Sequence, residues 1–256
     1  LTGGVQREIL ENLLWERYGK RAVFSDPTVI YQETPTREGI AYADYTMPKP
    51  CWAVVKFRFT PMPRGYGVSY HGRLPSNQLF YRYQSHIRRS FRECLAQGLH
   101  GWEVTDFRCE LIDGQHHTIH THPLDFFVCT PMAFMNGLVN CGTTLLEPLM
   151  RWRITCPMEL SGKLLSQITI RRGTYDTPVV TGDTASLEAI IPLATTMDFP
   201  IWAASATSGK ATCASDFYGY SECPAGELHE TPRRGVNPLD RARWILYCRG
   251  AGKWEE

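Results

Sequence analysis

Four of the chain's eight histidines, His116, His117, His120 and His122, fall within seven residues, in the run Asp113-Gly114-Gln115-His116-His117-Thr118-Ile119-His120-Thr121-His122-Pro123. Imidazoles at this spacing suit two chemistries. They can converge on a cation, with Asp113 or Asp125 completing a tetrahedral set, as in a metal-dependent enzyme built on the His116–His122 cluster. They can also stand on an exposed turn, where His, Thr and Gln side chains offer donors, acceptors and flat faces to an unpaired RNA base. Coordination wants partners that orient each imidazole and a general-base carboxylate of the H-E-x-x-H kind, and one short loop supplies neither. Four histidines in a polar loop cannot all be buried, so the run is a surface element with contact and coordination both open.

Nucleotide and covalent chemistry are easier to test. Ser208-Gly209-Lys210 looks like the end of a phosphate-binding loop. The motif G-x-x-x-x-G-K-[ST], however, needs a glycine where Ala204 stands and a magnesium-binding hydroxyl where Ala211 stands. The segment therefore reads as a helix ending at Gly209, and the chain is expected neither to bind nor to hydrolyse GTP. No G-x-S-x-G elbow marks a nucleophile. Nine cysteines, an odd number with no C-x-x-C pair, fit reduced thiols rather than a disulfide frame or a zinc knuckle. A net charge of +1 gives no global attraction for polyanions, so RNA contact must come from local arginines such as Arg64, Arg73, Arg82 and Arg88. No apolar stretch approaches the roughly 20 residues of a membrane helix. With Leu1 in place of an initiator methionine and no signal peptide, the chain is expected to be a cytoplasmic piece of something longer.

The elements that must position the histidine run show in the periodicity. Apolar residues at helical spacing predict a helix over 5–18 closed by Gly19, then a short strand from Lys20 to Phe24. Strands are predicted over Thr28 to Gln32, Ile40 to Thr46 and Trp52 to Thr60, the last with one wet face. Pro61 to Gly67 is a loop, and Val68 to Gly72 a strand. A helix from about Asn77 to Gln97 has Leu79, Phe80, Tyr83, Ile87, Phe91 and Leu95 on its inner face and Arg82, Arg88, Arg89 and Arg92 on its outer one. Trp102 to Ile112 leads into the histidine run as a strand, and a helix over Leu124 to Asn140 leads out, kinked or restarted at Thr130-Pro131. From Leu149 the order is β (149–156), α (157–171), β (174–180), β (185–192), α (195–206), β (211–220), the split motif of ferredoxin-like domains. A last helix spans Leu239 to Cys248.

This order carries several telling segments. Leu145-Leu146-Glu147-Pro148 leads into a strand, Arg171-Arg172-Gly173 closes the next helix, and Asp26-Pro27-Thr28-Val29-Ile30-Tyr31-Gln32-Glu33-Thr34 joins two modules. Together they resemble the carboxy-terminal half of elongation factor G and its relatives, over nearly the whole chain. The resemblance implies an α+β fold: the end of domain III over 1–27, a ribosomal protein S5 domain 2-like α/β module (domain IV) over 28–145, a ferredoxin-like βαββαβ module (domain V) over 146–221, and an extension with a short C-terminal helix over 222–256. Within that superfamily, three segments are similar to the tetracycline-resistance proteins of the ribosomal protection type. They are Met47-Pro48-Lys49-Pro50-Cys51-Trp52-Ala53, Gly98-Leu99-His100-Gly101-Trp102-Glu103-Val104-Thr105-Asp106, and Pro232-Arg233-Arg234 through Asp240-Arg241-Ala242-Arg243.

By that likeness His116, His117, Thr118, Ile119, His120, Thr121 and His122 form the domain IV tip that reaches small-subunit rRNA near the decoding centre and the tetracycline site. The family's apex carries tyrosine and proline, so here Ile119 takes the place of the stacking proline. Pro63, Arg64, Gly65 and Tyr66 are implied as a second tip loop, and Arg233, Arg234, Arg241 and Arg243 as phosphate contacts. The implied parent is a monomeric, cytoplasmic, ribosome-dependent GTPase, its GTP and Mg²⁺ held in a G domain absent from this chain. The chain itself is expected to need no cofactor or metal and to carry no catalytic residue. A translocation-type elongation factor G paralogue is the alternative, with the metal-dependent enzyme as the alternative of another class.

Overall fold

A computed structural model describes residues 4–25, 27–46 and 51–251. The chain divides into Leu1–Ile30 and Tyr31–Glu256. In the first unit, α1 (Gly4–Tyr18) ends as its sequence predicts, because Gly19 at φ 62° turns its N–H onto the Trp15 carbonyl at 2.9 Å. The strand expected over Lys20 to Phe24 does not form. A strand needs a neighbour to take its N–H and C=O groups, and here Val23 is 97% exposed.

The second unit runs through β1 (Gln32–Pro35), β2 (Gly39–Tyr45), β3 (Ala53–Pro61), β4 (Val68–His71), α2 (Tyr81–Cys94), β5 (Glu103–Val104), β6 (Phe107–His116) and α3 (Pro123–Cys141). It continues with β7 (Thr143–Pro157), α4 (Met158–Ile170), β8 (Thr174–Tyr175), β9 (Val179–Thr181), β10 (Thr184–Pro192), α5 (Phe199–Ala206), β11 (Thr212–Glu222) and α6 (Arg241–Cys248).

The first sheet has the order β2-β3-β6-β4. Alternation along β3 sends Ala53, Val55, Phe57 and Phe59 inward and leaves Arg58 outside, as the sequence suggests. The inner face packs on α2 and α3 through a ring cluster that includes Phe57, Phe59, Phe91, Phe107 and Phe134. Gly137 of α3 allows this closeness, since a Cβ there would lie 2.3 Å from the Ala41 Cβ and 2.5 Å from the Phe59 ring. Pro131 does not restart the helix, which is continuous from Pro123 to Cys141. By length and composition alone α3 could cross a membrane, yet 67% of its apolar window is buried in this core.

Three boundaries moved for local reasons. The helix expected from Asn77 begins at Tyr81, because Pro75 draws the Gln78 and Leu79 N–H groups onto its carbonyl in tight turns, each at 3.0 Å. The strand expected over Trp102 to Ile112 breaks at Asp106, whose φ of 56° sends β5 to one sheet and β6 to the other. The first strand starts at Gln32 rather than Thr28 and lies between β5 and β7, not beside β2, which follows it directly.

The second sheet is organised on β7. Gln32 and Glu222 both pair with Leu146, so β1 and β11 flank β7 on opposite edges, and β10 succeeds β1 along its edge. The order β11-β7-β10 with β8 and β9 on β10 is the ferredoxin-like arrangement. Its core gathers Trp152, Ile154, Leu164, Ile168, Leu187, Ile191 and Phe199. The strand expected over 174–180 is two short pieces, and the helix expected over 195–206 is a 3-10 turn (Leu193–Thr195) followed by α5. The two segments that marked this module in the sequence meet in space. Arg172, at φ 63°, makes a bidentate pair with the buried Glu147 at 2.6 and 2.9 Å, and that carboxylate holds the guanidinium above its ordinary pKa.

A second buried acid ties the sheets together. Glu33 of β1 accepts the N–H groups of Leu99, His100 and Trp102 at 2.8, 2.8 and 3.1 Å, and the Thr143 hydroxyl at 3.3 Å. Burial pushes its carboxyl above the usual range, against the pull of those backbone donors. Gly98 is required beside it, because a Cβ there would sit 2.5 Å from the carboxylate. Replacing Glu33 with Ala strands three buried N–H groups and is expected to cost about 3 kcal/mol or more. The check is a urea melt, in which Glu33→Gln, keeping one acceptor, falls between the wild type and Glu33→Ala.

Candidate functional site

The histidine run forms a compact turn between β6 and α3. Thr121 closes it: its hydroxyl accepts the His117 N–H at 2.7 Å and donates to the Trp52 carbonyl, and its own N–H donates to the His117 carbonyl at 3.1 Å. Inside the turn, His117 Nδ1 accepts the N–H groups of Ile119 and His120, both at 3.2 Å, which places the ring proton on Nε2. The His117 and His120 rings stack with centroids 4.5 Å apart, and Trp52 flanks His117 at 5.9 Å. These contacts leave Thr118 and Ile119 at the apex, with Ile119 75% exposed. An aliphatic side chain held out in water on a braced turn is suited to press on a flat apolar face.

The base of the turn rests on Asp125, at the start of α3. Its side chain is wholly buried and accepts N–H groups from Trp52 at 3.1 Å and His122 at 2.9 Å, and the Arg249 guanidinium at 2.9 Å. Arg249 also donates to the Tyr45 hydroxyl at 2.9 Å. His116 faces away from the other imidazoles, its ring 4.0 Å from Phe80 and its Nδ1 donating to the Gln78 carbonyl at 3.2 Å. Gln78 in turn donates to Asp113 at 2.7 Å. Among the described residues, no group of three or more His, Cys, Asp or Glu side chains is placed to hold a metal ion.

The loop of Pro63, Arg64, Gly65 and Tyr66 does not share this tip. In the β3–β6 ladder Ala53 lies opposite His116 and Pro61 opposite Phe107, so the loop leaves the far end of the sheet, about 30 Å away along the strand. There Asp106 accepts the Gly65 and Gly67 N–H groups at 3.2 and 2.9 Å, and Arg64 pairs with Glu222 of β11. The described segments that do adjoin the histidine turn are Trp52, just before β3, and the residues after β4 that end in Gln78 and Phe80; Met47-Pro48-Lys49-Pro50 lies outside the described residues. Trp52, Gln78, Phe80 and Arg249 do not stand out as site residues in the sequence. One signal was available for residues 72–80. A strand joined through a helix to its sheet neighbour runs parallel to it, so β4 and β6 must end at the same side.

The carboxy-terminal arginines are largely engaged within the chain. Arg233 donates to the Gln97 and Gly98 carbonyls at 3.1 and 2.7 Å, beyond the negative end of α2, and burial lowers its pKa from the ordinary value. Arg241 donates to the Asp44 carbonyl at 2.7 Å. The Arg234 backbone is held by the Gln97 side chain at 2.7 Å. Arg243 lies in the first turn of α6, where its N–H caps onto Asp240 at 3.2 Å.

Residues 27–142 match the family model of elongation factor G, domain IV, and residues 144–231 match that of the elongation factor G C-terminus. The chain belongs to the elongation factor G family. It is 33% identical over 248 residues to the tetracycline resistance protein TetP of Clostridium perfringens, covering 96% of this chain and 38% of that protein. It is 30% identical to TetO of Streptococcus pneumoniae, with the same coverage, and 27% identical to TetM from transposon Tn916 of Enterococcus faecalis, over 95% of this chain and 38% of that protein. The chain thus spans 38% of the length of these relatives. A crystal structure of a Thermus thermophilus protein shares the fold, with a TM-score of 0.73 and 23% identity over 98% of this chain and 36% of that one.

In this elongation factor G domain IV, the turn should loosen in two distinguishable ways. Asp125→Ala leaves two N–H groups without an acceptor and Arg249 without its carboxylate, and is expected to cost about 3 kcal/mol of global stability. Thr121→Val should cost about 1 kcal/mol yet free the apex. Amide hydrogen exchange at residues 117–121 checks this: faster exchange in Thr121→Val with a nearly unchanged melt is the expected outcome.

Proposed function

We propose that the chain is the ribosome-engaging part of a ribosomal protection protein of the elongation factor G type. It would confer tetracycline resistance by inserting the turn Thr118-Ile119-His120 near the small-subunit decoding centre and displacing the drug. What carries the reading is the exposed Ile119 on a turn braced by His117, Thr121 and Asp125, in a chain similar end to end to proteins named for tetracycline resistance. A short apolar wedge with a donor-rich rim can stack on a splayed base and exclude a small ligand beside it. His122, on the exposed outer side of the turn, and His120 would supply polar contacts to phosphate or base edges.

In this reading residues 1–27 are the end of domain III, and GTP and Mg²⁺ act in a G domain outside this chain. The protein would work as a cytoplasmic monomer on the ribosome, with GTP setting when the arm docks and the turn doing the displacement. A translocation factor would use the same arm on the codon–anticodon helix, a reading favoured by the two family models, both built on elongation factor G.

Expression of the full-length protein in a tetracycline-sensitive bacterium separates the two. Resistance is the expected result, lost when Thr118, Ile119 and His120 are replaced by glycine while the protein still accumulates and binds GTP. Rescue of cells depleted of their elongation factor G, without resistance, would favour the translocase instead.

A further inference from the structure

Between β4 and α2, the outer surface holds a cleft of about 440 Å³ lined by Tyr70, His71, Arg73, Tyr81, Gln84 and Arg88. It contains no carboxylate. Neither Arg73 nor Arg88 has an acidic partner among the described residues, unlike Arg89, which pairs with Glu93. Each guanidinium lies instead against a ring, Arg73 at 5.9 Å from the Tyr81 centroid and Arg88 at 5.9 Å from that of Tyr70. Tyr81 is 67% exposed, and the Tyr70 hydroxyl is buried at the cleft without a hydrogen-bond partner.

The backbone is built to bring these groups together. Gly72 sits at φ 106°, where a Cβ would lie 2.5 Å from the Leu111 carbonyl oxygen, so only glycine lets the chain leave β4 this close to β6 and turn Arg73 back over α2. Gln84 fixes the same turn by accepting the Leu74 N–H at 3.1 Å and donating to the Leu74 carbonyl at 2.8 Å. Along α2, Tyr81, Ser85, Arg88 and Arg92 recur at helical spacing and form one stripe. The stripe starts where Phe80 packs on His116 and runs away from the apex.

We propose that this cleft and stripe bind a single-stranded RNA segment, with a base on Tyr81 and phosphates on Arg73 and Arg88, continuing toward Arg92. Guanidinium groups with no internal acid are free to bind phosphate in bidentate fashion, and an exposed tyrosine ring gives a stacking platform that any base can use. An acidic peptide would satisfy the arginines but make no use of the ring. The site is separate from the tip and does not depend on the tip displacing a drug.

The test is fluorescence anisotropy of the chain with a short fluorescein-labelled unpaired RNA, repeated across a salt series. Arg73→Ala with Arg88→Ala is expected to weaken binding about tenfold or more and to reduce the log–log salt slope by about 1.4, two phosphate contacts' worth. Tyr81→Ala should weaken it about tenfold at unchanged slope. Lysine at both arginine positions should restore the slope. These residues are exposed, so thermal melts should match the wild type. Absence of RNA binding, or equal binding by the cleft variants, overturns the proposal. So does polyglutamate competing as well as RNA with no effect of Tyr81→Ala, which would mark an acidic-peptide site. Glycine at Thr118–His120 gives the independent arm, because unchanged resistance there rejects the tip's role and leaves the cleft result standing.

Discussion

A carboxylate withdrawn from water must find donors, and all four buried acids among the described residues find them on distant segments. Glu33 takes its donors from the loop after α2, Asp106 from the loop after β3, Asp125 from Trp52, His122 and Arg249, and Glu147 from Arg172. Each acid stands where two parts of the chain must be brought to one geometry. Hydrophobic packing alone fixes distance but tolerates sliding, whereas these multidentate contacts are directional and set register. The tip inherits its shape from this constraint: the Asp125 carboxylate holds Trp52 at the entry to β3, the exit of the turn and the end of α6 at once.

The carboxy-terminal extension adds to that scheme. After β11 it returns across domain IV, where the Trp102 indole donates to the His229 carbonyl at 2.7 Å and His229 stacks on Tyr31 at 4.2 Å. Further on, Trp244 donates to the Val128 carbonyl at 2.9 Å. A segment that reads as polar and loop-like thus serves as a strap, and its arginines tie the chain to itself as well as offering charge to solvent.

Periodicity made most of the elements legible, and residue order made the ferredoxin-like module legible, because alternation and helical spacing are local properties. What local pattern does not carry is which end of a strand meets which. Family likeness sets the loop at Pro63–Tyr66 beside the histidine turn, yet the nine residues of β3 carry it to the opposite end of the sheet. The importance of Glu147 and Arg172 shows in the sequence only as two separate segments. Their joining needs the fold, since twenty-five positions of chain separate them. The expected strand at Lys20–Phe24 failed for the reverse reason: its local pattern was adequate and its partner was lacking. At the candidate tip the exposed apex followed from polarity, while the bracing by His117 Nδ1 and the link to Arg249 depended on geometry invisible in a one-dimensional string.

Fifteen residues of β7 pass without interruption from the neighbourhood of α3 into the heart of domain V, a span of about 50 Å. One continuous ladder therefore belongs to both modules, and flexing them against each other would mean shearing hydrogen bonds on either side of it. Mechanically the pair is a beam rather than a jointed limb. A load on one module would therefore pass to the other through paired backbone rather than be taken up at a hinge.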